Sequence, residues 1–373
     1  MPPVSKGMII SKLYLTDFRN FNKRSLGLSE NISVIVGPNA IGKTNVLEAM
    51  FLMSSGKSFR ARLEEEMVAY NSEISRIKGL IRADNQNTKL EVVLTRGRIE
   101  IGENKFEKVP RKKLLVNGVA KRLLDFAGNL KVVLFGPWDL DLVTESPSLR
   151  RRFLDNVLSQ VDRDYRRASL SYEKGLRQRN KLLWQLREDS SVAFRNTGRA
   201  RLLFWDKLLI RNGDYIARRR EEFIDFVNSH KSQISTDYSL EYDKSAISES
   251  RLQEYKEEEI AAATTLVGPH RDDFIFRISG HKSQVTSLFR ELAPYGSRGE
   301  QRMAVLWLKL AELDFIKEST DEKPVLLLDD IFSELDHEHR GVVMKVARSQ
   351  QTIITTADPH FVEHVNAHLI TLK

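Results

Sequence analysis

Cysteine is absent from the 373-residue chain, so disulfides and thiolate metal sites are excluded, and a reducing cytosol is the natural setting. No apolar run approaches the ~20 residues that a membrane-spanning helix needs. The opening Met1–Gly7 is short and polar, without the apolar core of a signal peptide, and reads as either an extension or a late-chosen start, since the first apolar alternation begins at Met8. Internal repeats, low-complexity tracts and long heptad runs are also missing. These absences together predict a soluble, cytoplasmic protein with no membrane partner. What is present fits a globular chain long enough for two lobes, since single cores tend to split above about 250–300 residues. The formal charge is +8, and residues 151 to 230 hold eighteen Lys and Arg against eleven Asp and Glu. The excess is therefore read as lying in the middle of the chain, where it points to an acidic polymer as partner.

The most informative stretch runs from Val34 to Met50. An apolar strand leads into Gly37-Pro38-Asn39-Ala40-Ile41-Gly42-Lys43-Thr44, followed by a helix that opens at Asn45 and reads as amphipathic. This is G-x-x-x-x-G-K-[ST] in its strand-then-helix context, a P-loop. Two glycines let successive N–H groups turn toward a phosphate, and the helix adds the positive end of its dipole. Lys43 is predicted to reach the β- and γ-phosphates of ATP, and the Thr44 hydroxyl to help hold Mg²⁺.

Alternating segments at Met8–Leu15, Leu26–Leu28, Ile77–Arg82, Leu90–Thr95 and Arg98–Ile101 predict an antiparallel sheet beside the P-loop strand Ile32–Val36, with a further strand at Lys131–Phe135. From Pro147 the texture is helical, with long patterns over Asp162–Arg187 and Leu202–Val227. A polar stretch from Ser229 to Asp243 and the acidic Glu249–Glu259 follow. From Ala261 an α/β pattern returns: strands at Phe274–Ile278, Val325–Leu328, Thr352–Thr355 and Leu369–Leu372, with helices at Gly299–Lys317 and His337–Ala347. The expected division is 1–145, 146–260 and 261–373: an α/β head formed by both ends of the chain, with a mostly helical lobe inserted. Trp184, Trp205 and Trp307 fall in helical apolar patterns and read as core. His360, His364 and His368 are four apart, but the strand at Leu369 argues against one metal-binding helix carrying all three.

Pro324–Asp330 ends a buried strand on two carboxylates. Asp329 would join the Mg²⁺ shell, and Asp330 would act as general base or water positioner. Ser333-Glu334-Leu335-Asp336 comes next, and Ser297-Arg298-Gly299-Glu300-Gln301-Arg302 opens a helix about thirty residues upstream. There the Ser297 hydroxyl and Gly299 backbone suit a γ-phosphate, while the same residues also suit a helix cap. The ordered set resembles ABC-type ATPase heads, in which the signature serine of one subunit completes the phosphate site of another. That resemblance implies an ATP-dependent homodimer.

Further stretches resemble the RecF family of bacterial recombinational repair proteins: Leu13–Phe21, Asn39–Ala49, Gly56-Lys57-Ser58-Phe59-Arg60, Phe135–Leu140 with Arg151–Asp155, Tyr172 through Leu183, Trp205-Asp206, Gly213, and Gly268–Asp273. The resemblance covers essentially the whole chain, with departures at Trp138, at Glu300 and in a longer Gly280–Tyr295. In that family's matching block His270 looks structural or dimer-related. The family implies binding to double-stranded and gapped DNA, cooperation with RecR and RecO in loading the RecA recombinase, and ATP hydrolysis that releases the dimer. With an aspartate at 330 where many ABC heads carry glutamate, slow hydrolysis is expected. Arg150, Arg151, Arg152, Arg163, Arg166, Arg167, Arg218, Arg219 and Arg220 are the candidate phosphate contacts, some of them expected to face carboxylates such as Asp155 or Asp162 instead. Two other classes compete. A transporter ATPase subunit would show no DNA affinity, and an SMC or Rad50-like tether would need hundreds of coiled-coil residues.

Overall fold

The computed structural model describes residues 7–83, 86–102, 105–189, 192–230, 237–279, 289–333, 335–358, 360 and 366–373. The chain forms two compact units, residues 1–139 with 312–373, and residues 140–311.

The first unit contains two sheets. One is antiparallel, built from β1 (Ile9–Phe18), β2 (Phe21–Gly27), β4 (Ile74–Ala83), β5 (Gln86–Thr95), β8 (Lys112–Val116) and β9 (Val119–Lys121), in the order β2-β1-β4-β5-β8-β9. The other is parallel and contains the P-loop strand β3 (Ile32–Val36), with β10 (Val132–Phe135), β14 (Val325–Asp329), β15 (Thr352–Thr356) and β16 (His368–Thr371), in the order β10-β14-β15-β3-β16. β3 thus lies between two strands made more than three hundred residues later. The P-loop strand does not stand beside the antiparallel strands in one sheet, as the alternation had suggested.

The helix Lys43–Ser55 contacts strands of both sheets. Val46, Leu47, Ala49, Met50, Leu52 and Met53 are all fully buried. The helix is therefore apolar on every side, as a helix between two layers must be, rather than amphipathic. Its side chains share one core with Leu13, Leu15, Ile77 and Val92 of the antiparallel sheet and Val132, Val325 and Ile353 of the parallel one. The segment Arg98–Gly102 (β6) leaves the main sheet and pairs with β7 (Lys105–Lys108) as a separate ribbon.

The middle unit is helical over Pro147–Val161, Arg163–Glu188 and Val192–Ser229, and carries a small antiparallel sheet, β11 (Tyr238–Asp243), β12 (Asp273–Ser279) and β13 (Phe289–Glu291). β11 lies in the stretch read as merely polar, and its pairing with β12 keeps residues 261–311 in the middle unit. The expected boundary near residue 260 is corrected accordingly. Trp307 is buried as expected, Trp205 is half-buried, and Trp184 is half exposed on the outer face of its helix, so it is not core. Among the described residues no helix is long and apolar enough to cross a membrane.

Candidate nucleotide site and basic surfaces

The loop after β3 is shaped for an anion. Ala40 and Gly42 take positive φ, 66° and 108°. A Cβ at Gly42 would fall 2.7 Å from Asn20 Oδ1, so only glycine fits that turn. The amides of Gly42, Lys43, Thr44 and Asn45 have no acceptor among the described residues. Such orphan donors at a helix N-terminus are what a phosphate accepts from. Lys43, itself buried, curls back so that Nζ donates to the Gly37 and Pro38 carbonyls at 2.8 and 3.0 Å.

Thr44 and Asp329, the two residues expected on the metal side, lie together. Thr44 Oγ1 donates to Asp329 Oδ2 at 2.6 Å, joining the loop to the end of β14, and the Thr355 hydroxyl donates to the other Asp329 oxygen. Asp329 is buried. A hydroxyl and a carboxylate here are hard oxygen donors that suit Mg²⁺ shared with phosphate oxygens. Asp330 follows in the left-handed region, φ 52°, with its N–H bound to Thr355 O at 3.0 Å and its carbonyl accepting from Ser333 Oγ. This turn directs the chain out of the sheet directly after Asp329 and leaves Asp330 half exposed. Glu334 of the following motif lies outside the described residues, as does His364.

A cluster that composition and spacing did not reveal supports the loop from behind. Glu48, on the second turn of the P-loop helix, is fully buried and accepts from Arg19 at 2.9 and 2.6 Å, Arg60 at 2.7 Å and Ser58 at 2.6 Å. Burial pushes its carboxyl up, but the hydrogen bonds from Arg19, Arg60 and Ser58 outweigh burial and hold it below the usual glutamate range. Next to Arg19, Asn20 donates to Ile41 O at 2.8 Å and accepts from Asn45 at 2.6 Å. The blocks Asp17–Phe21 and Gly56–Arg60 are thus the braces of the P-loop. Trp138 stacks on Phe59 of the second brace, with ring centres 4.8 Å apart.

In the middle unit Ser297 caps the helix Arg298–Thr320. Its Oγ accepts from the Glu300 N–H at 3.2 Å, and Glu300 accepts from the Ser297 N–H at 2.7 Å and from Arg290 at 2.7 Å. This capping box explains the glutamate at 300. It also leaves the Ser297 hydroxyl proton uncommitted, so capping and phosphate donation are compatible. A Cβ at Gly299 would meet only Ser297 Oγ, at 4.0 Å, so nothing among the described residues requires glycine there.

The nine candidate arginines all interact within the chain. Arg150 is buried and forks onto Asp273 at 2.6 and 2.9 Å while donating to the Leu142 and Glu145 carbonyls. Arg220 is buried between Asp155 and Asp272, 2.9 and 3.1 Å away. These two are corrected to structural residues: each closes a buried ion pair and has no surface to offer a phosphate. Arg151 donates to Asp272 O, Arg166 to Ser159 O, and Arg219 pairs with Asp162. Arg167 and Arg218 make exposed pairs with Asp164 and Glu222. Arg152 and Arg163 are exposed and also engaged. By contrast Lys174, Lys181, Lys207 and Arg211, which sequence reading passed over, are exposed and make no hydrogen bond or ion pair among the described residues. Solvent-facing positions on the two long helices were their only signal. The motif at Gly268–Asp273 is likewise structural in geometry. His270 accepts from the Tyr172 hydroxyl at 2.8 Å and donates to Thr265 O at 3.0 Å, and burial, with the charges of Arg271 and Arg151, pushes it down to about 4.

Residues 9–373 match the family model described as RecF/RecN/SMC N terminal domain. The chain is 36% identical over 380 residues to the DNA replication and repair protein RecF of Roseiflexus castenholzii, covering 93% of each. It is 34% identical over 359 residues to the RecF of Lachnoclostridium phytofermentans, covering 93% of this chain and 92% of the relative. A solved structure of the recombination mediator protein RecF with ATPrS in the RecFOR pathway superposes with a TM-score of 0.81 at 31% identity, covering 96% of this chain and 95% of that one. On braced P-loop, paired aspartates and full-length similarity alike, the chain belongs to the RecF family of ATPase heads.

Proposed function

We propose that the protein is an ATP-dependent DNA-repair clamp of the RecFOR pathway. The observation that carries the nucleotide half is the Thr44–Asp329 hydrogen bond of 2.6 Å beside a row of amides that find no acceptor among the described residues. Lys43 would leave its two carbonyls for the β- and γ-phosphates, and the amides from Gly42 to Asn45 would take phosphate oxygens, with Gly37, Pro38, Asn39, Ala40 and Ile41 forming the turn. Thr44 and Asp329 would hold Mg²⁺, which when bound neutralises charge on the phosphates. Asp330 would orient the attacking water and accept its proton as the bond to ADP breaks. Ser297, with the Gly299 backbone, would donate to the γ-phosphate held by a second copy, which makes the homodimer ATP-dependent. Hydrolysis would be slow and would open the dimer.

The named relatives are DNA replication and repair proteins, and on that basis the ligand is duplex DNA next to a single-strand gap. RecR is the direct partner, RecO and RecA act in the same pathway, and the setting is cytoplasmic. Arg152, Arg163, Arg167 and Arg218 remain proposed phosphate contacts, Arg167 and Arg218 exchanging exposed carboxylates for DNA, joined by Lys174, Lys181, Lys207 and Arg211. The reading is tested by the solution mass of the Asp330→Asn protein with and without Mg-ATP, then with gapped duplex at two salt concentrations. A monomer that becomes a dimer with ATP and holds duplex in a salt-sensitive way is expected. A mass unmoved by ATP, or a dimer indifferent to DNA, would overturn it.

A further inference from the structure

The antiparallel sheet of the first unit has two unlike faces, and strand register shows which residues share each. One face carries Leu13, Leu15, Ile77, Leu90, Val92 and Leu114, all in the core with the P-loop helix. On the other, the pairs Lys12↔Leu80, Tyr14↔Lys78, Thr16↔Arg76 and Thr16↔Lys23 align β2, β1 and β4. Lys78↔Glu91, Leu80↔Lys89 and Val93↔Lys113 continue that face through β5 and β8. Residues directly opposite in a sheet point to the same side. The outer face therefore gathers Lys12, Lys23, Arg76, Lys78, Lys89 and Lys113.

Across those registers Glu91 is the carboxylate on this face, and it serves Arg76 at 3.2 Å and Lys78 at 3.7 Å. Lys12, Lys23, Lys89 and Lys113 are exposed, and their side chains make no hydrogen bond or ion pair among the described residues. With strands about 4.8 Å apart, the four intervals from β2 to β8 span about 19 Å. That is wide enough to meet both backbones across a major groove about 12 Å wide. Clustered cations on a rigid surface, with one acid among them, form an electrostatic footprint for a polyanion. The cations are lysine and arginine side chains spread across paired strands, so contact would be with phosphates and independent of sequence. Tyr14, half-buried among the lysines, adds a hydroxyl of the kind that also binds phosphate oxygens.

We propose that this outer sheet face is a duplex-DNA-binding plate. The proposal rests on the DNA-binding reading given above but assigns the contact to strands of the ATPase unit, apart from the cations of the middle unit. Residues 1–139 hold 23 Lys and Arg against 14 Asp and Glu, so the positive excess is not confined to the middle of the chain.

The test uses the full chain carrying Asp330→Asn with Mg-ATP, and compares it with the same protein also carrying Lys12→Gln, Lys23→Gln, Lys89→Gln and Lys113→Gln. Duplex affinity is measured between 50 and 200 mM salt. Losing four phosphate contacts lowers the salt slope by about 3.6, so the unsubstituted protein should weaken about a hundredfold more than the variant over that range. Nucleotide affinity should be unchanged, which reports an intact fold. A second variant, Ser25→Lys, adds a cation at an exposed position of the same face, opposite Tyr14. It should bind duplex several-fold more tightly, a gain that misfolding cannot produce. If the unsubstituted protein binds duplex and both variants match its affinity and slope, the plate is wrong while the DNA reading stands. If the unsubstituted protein binds no duplex at any salt, both fall together.

Discussion

Replacing Glu48 by alanine should loosen the P-loop helix at its second turn. The carboxylate is inaccessible, Arg19 is 20% exposed and Arg60 is 38% exposed. Arg60 can swing into water when its partner goes. Arg19 cannot do so freely, because it is also tied to Glu66 O at 2.7 Å. The substitution therefore strands one largely buried cation rather than two, which places the cost near the lower end for a broken buried pair, about 3 kcal/mol. One power of ten is about 1.4 kcal/mol, so amide exchange across residues 43–55 should quicken by about a hundredfold. Hydrogen exchange of peptides from that helix, read beside peptides of the middle unit, is the assay. Adding Arg19→Ala should restore part of the protection by removing the stranded charge. A loss below about 1 kcal/mol, or a double variant whose losses simply add, would refute the idea that the cluster braces the loop as a coupled unit. Glu48 also has a folded pKa below its unfolded one. Its contribution is therefore present above about pH 4.5, the unfolded value, and disappears as pH falls through the folded value; Glu48→Gln should remove that acid sensitivity.

Thr355→Val deletes the hydroxyl that orients Asp329. It should weaken Mg²⁺-dependent nucleotide binding by about 10–100-fold while sparing metal-free binding, as titration calorimetry with and without Mg²⁺ would show. His270, depressed to about 4 against 6.5, favours the folded state fully above pH 6.5. About 3 kcal/mol of stability should be lost as pH falls from 6.5 to 4, a slope that His270→Asn should flatten in thermal melts. Arg220→Ala should destabilise the middle unit by about 3–5 kcal/mol by leaving Asp155 and Asp272 unpaired, whereas Arg218→Ala, at an exposed pair, should stay within about 1 kcal/mol; urea unfolding separates the two.

The P-loop and the aspartate pair proposed for the nucleotide were legible in sequence because each is contiguous. Gly37–Thr44 and Asp329-Asp330 each sit at the end of an apolar strand, and strand ends are marked by composition. Three kinds of feature were not legible. Consecutive arginines look alike as letters, yet the buried Arg150 and Arg220 pair with Asp273 and Asp272, more than fifty residues away, while Arg152 and Arg218 face outward, so only packing decides their roles. The basic sheet face is hidden for the opposite reason. Its cations are scattered one or two to a strand from Lys12 to Lys113, far apart along the chain, and only strand pairing brings them together. The buried character of the P-loop helix was also missed, because a helix between two sheets has no polar face left to mark.

The position of β3 has a consequence for synthesis. Its neighbours in the parallel sheet are β15 and β16, and the carbonyl of Leu372 lies 2.9 Å from where a side chain at Gly37 would begin. A growing chain that has already released the loop around residue 40 from the ribosome still lacks both strands that flank it. For most of translation β3 is an apolar strand with open edges, the kind of surface that pairs with the wrong partner. Nucleotide affinity should therefore arise late and abruptly, when residues 352–371 emerge, rather than growing with chain length. Nucleotide binding would then report that β15 and β16 have been made and have closed on β3.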